Sequence, residues 1–211
     1  MIKAVIFDLD GVLVSTDEMH FKAWSRLAEE IGITSFTKED NLRQRGVSRM
    51  ASLEIVLEKS DKKFSAEEKE KLAERKNTYY CEMLKNLTPN DVLDGALEFL
   101  KYLKANGIKT AVGSASKNAP IILERTGLRE YLDAVSCGLD VTKSKPDPEV
   151  FLVAAKKLGI APEDCLVVED AHAGIMAAKN GNMYALAVGA AYGDDMADFS
   201  MKNLAKLEAI I

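Results

Sequence analysis

From Gly95 onward, helical apolar spacing and short β-branched runs alternate along the chain, and this rhythm leaves little choice of fold. Helix Ala96–Ala105 leads through Asn106-Gly107 to strand Lys109–Gly113, and helix Ala119–Arg125 leads through Gly127 to a weaker strand at Ala134–Cys137. Helix Pro148–Leu158 runs through Gly159 to strand Leu166–Val168, and helix Ala173–Lys179 runs through Gly181 to Tyr184–Val188. Strands separated by helices of about ten residues cannot pair as hairpins and build βαβ units on a parallel sheet. The opening run Lys3-Ala4-Val5-Ile6-Phe7 is apolar and compact enough to be a buried strand of the same sheet. The expected class is α/β, a Rossmann-like parallel sheet core.

Between that first strand and Gly95 the pattern is helical only. Asp17–Ile31 carries Phe21, Trp24, Leu27, Ala28 and Ile31 at helix spacing, and Gly32 closes it. Met50–Lys59 and Ala66–Lys85 continue the helical pattern. The second of these is dense in Glu, Lys and Arg, which predicts a largely solvent-exposed helix. Thr88-Pro89-Asn90-Asp91 is a turn cluster suited to a return linker. We therefore expect an α/β core from residues 1–14 and 93–211, with an inserted small all-α domain at 15–92. A chain of 211 residues has room for both.

With 47% hydrophobic and 29% charged residues the composition is that of an ordinary soluble globular protein. A net charge of −5 argues against a nucleic-acid partner, which calls for a basic face. It leaves an anionic small molecule open, because a few placed cations set the local field. Cys81, Cys137 and Cys165 are odd in number and widely spaced, which suits reduced thiols in a cytoplasmic protein. No apolar run approaches the ~18 residues of a membrane span. The first strand begins too early for a signal peptide, so no membrane partner is expected.

Ligands of open α/β sheets bind beyond the carboxyl ends of the strands. The first strand delivers Asp8 and Asp10, which on an extended backbone would point the same way. The second delivers Ser114-Ala115-Ser116 with Lys117-Asn118, the third leads toward Lys145-Pro146, and the fourth ends in Glu169-Asp170. Each has a bland reading: the serines as helix caps, Lys145 as a turn residue, the acidic pair as charge at a helix start. Their coincidence at one sheet edge points instead to phosphoryl transfer, with a carboxylate nucleophile and hydroxyl and ammonium donors. So many carboxylates at one edge call for a cation, and Mg²⁺ takes hard oxygen ligands of this kind. Asp8, Asp170 and a backbone carbonyl near Asp10 are candidate ligands, with Glu169 direct or through water.

Asp8-Leu9-Asp10-Gly11-Val12, Ser114, Lys145-Pro146 and Glu169-Asp170 resemble, in order, the four motifs of the haloacid dehalogenase superfamily of phosphotransferases. The helical insertion looks like that superfamily's small α-helical cap. In this insertion Thr16, His20, Trp24, Gly46-Val47-Ser48-Arg49, Ser52-Leu53 and Arg75-Lys76-Asn77 resemble substrate and phosphate contacts of its sugar phosphomutases, as do Ala115, Ser116, Lys117 and Asn118 in the core. The resemblance implies Asp8 as nucleophile, Asp10 as general acid/base, and Ser114 and Lys145 as holders of the transferring phosphate. It implies Arg49, Ser116, Lys117 and Asn118 as the distal-phosphate site, and His20, Lys76 and the Gly46–Arg49 loop as coupling sugar binding to cap closure. For the metal it implies one Mg²⁺ per subunit with Asp8, Asp10, Glu169 and Asp170 around it. The implied reaction interconverts β-D-glucose 1-phosphate and glucose 6-phosphate through β-D-glucose 1,6-bisphosphate, in a monomer. A phosphatase of the same superfamily and a non-catalytic sugar-phosphate-binding module are the alternatives. Ala171, where the family commonly has Ser, followed by His172, is a departure beside the metal motif.

Overall fold

The computed structural model describes residues 1–204, so the 205–211 portion of the expected core lies outside the described residues. Six parallel strands form one sheet: β1 (Ala4–Phe7), β2 (Lys109–Gly113), β3 (Ala134–Ser136), β4 (Cys165–Glu169), β5 (Tyr184–Ala187) and β6 (Phe199–Ser200), in the order β3-β2-β1-β4-β5-β6. β1 is central, with Phe7 in register with Val112 on one side and Val168 on the other. Alternation sends Val5 and Phe7 to one face and Ala4 and Ile6 to the other, and both faces are covered. On the first face lie α5 (Ala96–Ala105) and α6 (Ala119–Arg125), through Phe99, Leu100, Leu103, Ile122 and Leu123. On the second lie α7 (Glu149–Leu158) and α8 (His172–Asn180), through Phe151, Ala154, Ile175 and Ala178. The order reverses at β1 and β4, so their carboxyl ends open onto a crevice.

Four helices occupy the chain between β1 and α5: α1 (Asp17–Glu30), α2 (Lys38–Leu42), α3 (Arg49–Leu57) and α4 (Ala66–Leu84). They carry a hydrophobic cluster of their own, including Trp24, Leu27, Leu53, Val56 and Leu72. Where the chain leaves and re-enters the sheet layer, Val14 and Val92 form an antiparallel bridge, flanked by Ser15 N donating to Asp91 O at 3.1 Å and Leu93 N to Leu13 O at 3.0 Å. α4 departs from the expectation of a largely exposed helix. It buries Leu72, Ala73, Lys76, Tyr80 and Leu84, a stripe at helix spacing with a lysine in its middle.

Candidate active site

β1 stops at Phe7, one residue before the first acid. Asp8 still extends the ladder, its N–H donating to Val168 O at 2.9 Å, but Gly11 turns the chain at φ +84° and donates to Val14 O at 2.9 Å. A side chain at Gly11 would overlap the Asp170 carboxylate. Asp8 and Asp10, expected to face one site, both line the cavity described below, where they meet different partners.

Asp8 is buried and accepts from Lys145 Nζ at 2.5 Å; the same ammonium also pairs with Glu169 Oε1. Burial pulls the Lys145 pKa down, but the Asp8 and Glu169 charges outweigh it and hold it raised. Glu169 Oε2 accepts from the backbone N–H groups of Asp170 (3.0 Å) and Ala171 (3.1 Å), and a side chain at Gly174 would overlap it. Carboxylate oxygens of Asp8, Glu169 and Asp170 come within 4.8 Å of one another. Burial, with the Asp8 charge adding, pushes the Asp170 pKa up to about 7. Glu169 is raised by burial too, against the pull of Lys145. Hard oxygens converging with more negative charge than one lysine offsets fit a divalent cation such as Mg²⁺. The Asp10 side chain is not in this cluster; its carboxylate accepts from Thr16 Oγ1, so what Asp10 could offer a cation is its backbone carbonyl.

Thr16 is fully buried and spends its hydroxyl on Asp10 rather than standing in the wall of the cleft, as had been expected. Burial, with the Asp8 charge adding, raises Asp10 to about 6. Beside it, Lys76 Nζ lies 2.9 Å from His20 Nδ1 and 4.7 and 4.6 Å from the Trp24 and Tyr80 ring centres. Burial, then the Lys76 and Arg49 charges, keeps His20 well below its ordinary pKa, so its ring is neutral. Burial also lowers Lys76, to about 7. Trp24 is both core and cavity wall.

After β2, Ser116 N donates to Ser114 Oγ and Asn118 N to Ser116 Oγ, each at 3.1 Å, leaving both hydroxyl protons for a ligand. Arg49 opens α3 behind Ser48, whose Oγ caps the helix by accepting from Ala51 N at 3.2 Å. Gly46, at φ +72°, brings its loop against the core: a Cβ there would stand 3.4 Å from Ala171 Cβ, so the small residue at 171 gives this loop room. One cavity of about 730 Å³ takes in residues of both the insertion and the core. Asp8, Asp10, His20, Gly46, Val47, Ser48, Arg49, Ser52 and Lys76 line it, as do Ser114, Ala115, Ser116, Lys117, Asn118, Lys145 and Asp170, while Glu169 lies behind its wall.

The cavity also takes in Asn77, which the resemblance pointed to, and Arg45, which the sequence did not single out. Arg45 reaches from the insertion to the core, with Nη2 3.2 Å from Asp17 Oδ2 and Nη1 3.7 Å from Asp170 Oδ2. Lying directly before Gly46, it could have been found by its neighbourhood. His172 is exposed and pairs with Asp194 Oδ2 at 2.6 Å, outside the cavity wall.

A parallel sheet that gathers a buried aspartate, a buried lysine and an acidic cluster at its strand ends, beneath a helical insertion, defines a phosphoryl-transfer architecture. Residues 2–182 match the haloacid dehalogenase-like hydrolase family, and the chain belongs to that family. The β-phosphoglucomutase of Bacillus subtilis (strain 168) is 44% identical over 189 residues, covering 89% of this chain and 83% of that protein. A phosphorylated carbohydrates phosphatase of Thermotoga maritima is 34% identical over 184 residues, covering 86% and 82%. The crystal structure of β-phosphoglucomutase from Clostridium difficile superposes with a TM-score of 0.92 at 40% identity, covering 98% of this chain and 93% of that one.

Proposed function

We propose that this chain is a Mg²⁺-dependent phosphomutase interconverting β-D-glucose 1-phosphate and glucose 6-phosphate through β-D-glucose 1,6-bisphosphate, acting as a cytoplasmic monomer. The observation that carries the reading is one cavity lined by two sets of phosphate-binding groups. Asp8, Lys145 and Ser114 line it, and so do the cationic Arg49 and Lys117 with Asn118. A bisphosphate needs both, because whichever phosphate is not reacting must be held away from Asp8. Residues 15–92 act as the cap that carries Arg49 to this site.

In this reading Asp8 carries a phosphoryl group as a mixed anhydride. The sugar's 6-hydroxyl attacks phosphorus, Asp10 takes the hydroxyl proton, and the bond from phosphorus to Asp8 breaks, giving the bisphosphate. After the bisphosphate turns round, an Asp8 oxygen attacks the 1-phosphate. Asp10 returns the proton to the departing sugar oxygen, and glucose 6-phosphate leaves a phosphorylated enzyme. Lys145 and Ser114 donate to the oxygens of the transferring group. Asp8, Glu169 and Asp170 would hold Mg²⁺, which would supply positive charge to offset that of the transferring phosphate. Neutral His20, Lys76 and the Trp24 face border the sugar.

A sugar-phosphate phosphatase is the second reading, favoured by the 34% identity to the Thermotoga enzyme. Purified protein with Mg²⁺, β-D-glucose 1-phosphate and a catalytic amount of the bisphosphate separates the two. Glucose 6-phosphate without stoichiometric free phosphate supports the mutase; free phosphate without the isomer supports the phosphatase.

A further inference from the structure

Two groups of the distal-phosphate site, one from the cap and one from the core, are hydrogen-bonded to a single oxygen. Asn77, on α4, accepts at Oδ1 from Arg49 Nη2 at 2.9 Å and from Asn118 Nδ2 at 2.9 Å. A carbonyl oxygen has two lone pairs, and here both are used. The amide orientations agree with their surroundings. The Cys81 thiol lies 3.6 Å from Asn118 Oδ1 and 3.8 Å from Asn77 Oδ1, on the acceptor side of both amides, and Asn77 Nδ2 faces Glu74 Oε1 at 3.5 Å. Among the described residues the other arm of Arg49 meets Glu74, at 3.1 Å, and that carboxylate is exposed, a weak restraint in water.

Arg49 and Asn77 belong to the helical insertion, whereas Asn118 follows β2 in the core. The Asn77–Asn118 bond therefore exists only when α4 lies against the core. One arm of the guanidinium fork is oriented by the oxygen that makes this contact. We propose that Asn77 is a positioning residue, aligning Arg49 and Asn118 on one phosphate and making that alignment conditional on contact between cap and core. The inference rests on the distal-phosphate reading above. Its physical content is preorganisation: a long, rotamer-rich arginine loses less entropy on ligand binding when a neighbour already fixes its plane.

The test is a double-mutant cycle on the full chain with Mg²⁺, read by calorimetric binding of glucose 6-phosphate and by KM and kcat of isomerisation. Asn77→Leu should weaken binding and raise KM about tenfold, with kcat falling by less than about threefold, whereas a merely structural staple would show as a loss of folded protein. In an Asn118→Ala background the same change should cost less than about threefold, because half of what Asn77 aligns has gone. Equal losses in both backgrounds, or an Asn77→Leu affinity within about twofold of wild type, would overturn the proposal. If thermal melting shows Asn77→Leu to be unfolded, Asn77→Ala takes its place in the same cycle and is judged by the same criteria. Wild-type protein that completes the binding cycle as expected but forms no isomer sinks the mutase reading alone. Normal isomerisation with an additive cycle sinks this proposal alone, and wild type that binds no glucose 6-phosphate sinks both.

Discussion

Asp10 differs from Asp8 through its partners as much as through its position. Asp8 meets an ammonium and two acids, whereas Asp10 meets a threonine hydroxyl and is raised by burial to about 6. A carboxyl poised there can give and take a proton near neutrality, which a proton shuttle requires. Asp10→Asn should lower turnover by roughly 10²–10⁴-fold. Because its side chain stands outside the Asp8–Glu169–Asp170 cluster, Mg²⁺ affinity should hold within about threefold by calorimetry. A metal affinity that falls in step with turnover would refute this separation. Gly11 is constrained twice, by its φ of +84° and by the Asp170 carboxylate in the space a Cβ would fill. Gly11→Ala should lose on the order of 1–3 kcal/mol in urea unfolding, together with Mg²⁺ affinity.

At the scale of the element, α4 illustrates how a function can contradict a pattern. Its buried stripe runs Leu72, Lys76, Tyr80, Leu84, and the lysine interrupts the apolar repeat, so the sequence reads as an exposed charged helix. Lys76 is 3% exposed, and burial, then the Arg49 charge, lowers its pKa to about 7. Between that value and the ordinary lysine value the unfolded chain binds a proton that the folded one does not. Stability should therefore rise with pH through this window and carry the full penalty below it. Lys76→Met should raise the melting temperature at neutral pH, by on the order of 1 kcal/mol or more, flatten that rise and impair turnover. A melting temperature lowered at neutral pH would contradict the assignment of Lys76 as a destabilised functional group. The strands of the core were legible because a buried parallel strand shows as a compact apolar run, as in Val5-Ile6-Phe7 and Leu166-Val167-Val168. The motifs at their ends were legible because the topology brings every such end to one edge. β6, with two residues, is too short to show any period, and α2, with five, left only the Thr37–Asp40 capping box as a trace. Contacts such as Arg45 to Asp170 depend on how the insertion sits on the core, and no local pattern encodes that.

Across the whole molecule the site is a local excess of negative charge at the centre of the sheet, and it couples stability to pH and to metal. Asp170 is raised to about 7 and Asp10 to about 6, each chiefly by burial and then by the charge on Asp8. Between the ordinary aspartate value near 4 and these values the folded chain holds protons that the unfolded chain has released. The derivative of stability with pH is then negative, at most about 1.4 kcal/mol per pH unit for each group. Their contribution is most favourable in acid and is lost as pH rises through 6 to 7. A divalent cation bound to ionised carboxylates reverses the cost, but at low pH it must first displace the protons. In chelator, the melting temperature should therefore fall between about pH 5 and about pH 8, and added Mg²⁺ should raise it far more at the higher pH. Asp170→Asn removes one of the titrating acids and one of the cation's ligands together, so it should flatten the fall in chelator and shrink the Mg²⁺ shift at high pH. Differential scanning calorimetry in the two buffers, with and without the cation, measures all of these quantities. A Mg²⁺ shift that is equal at both pH values, or larger in acid, would mean that the acids at the strand ends are not where the cation binds.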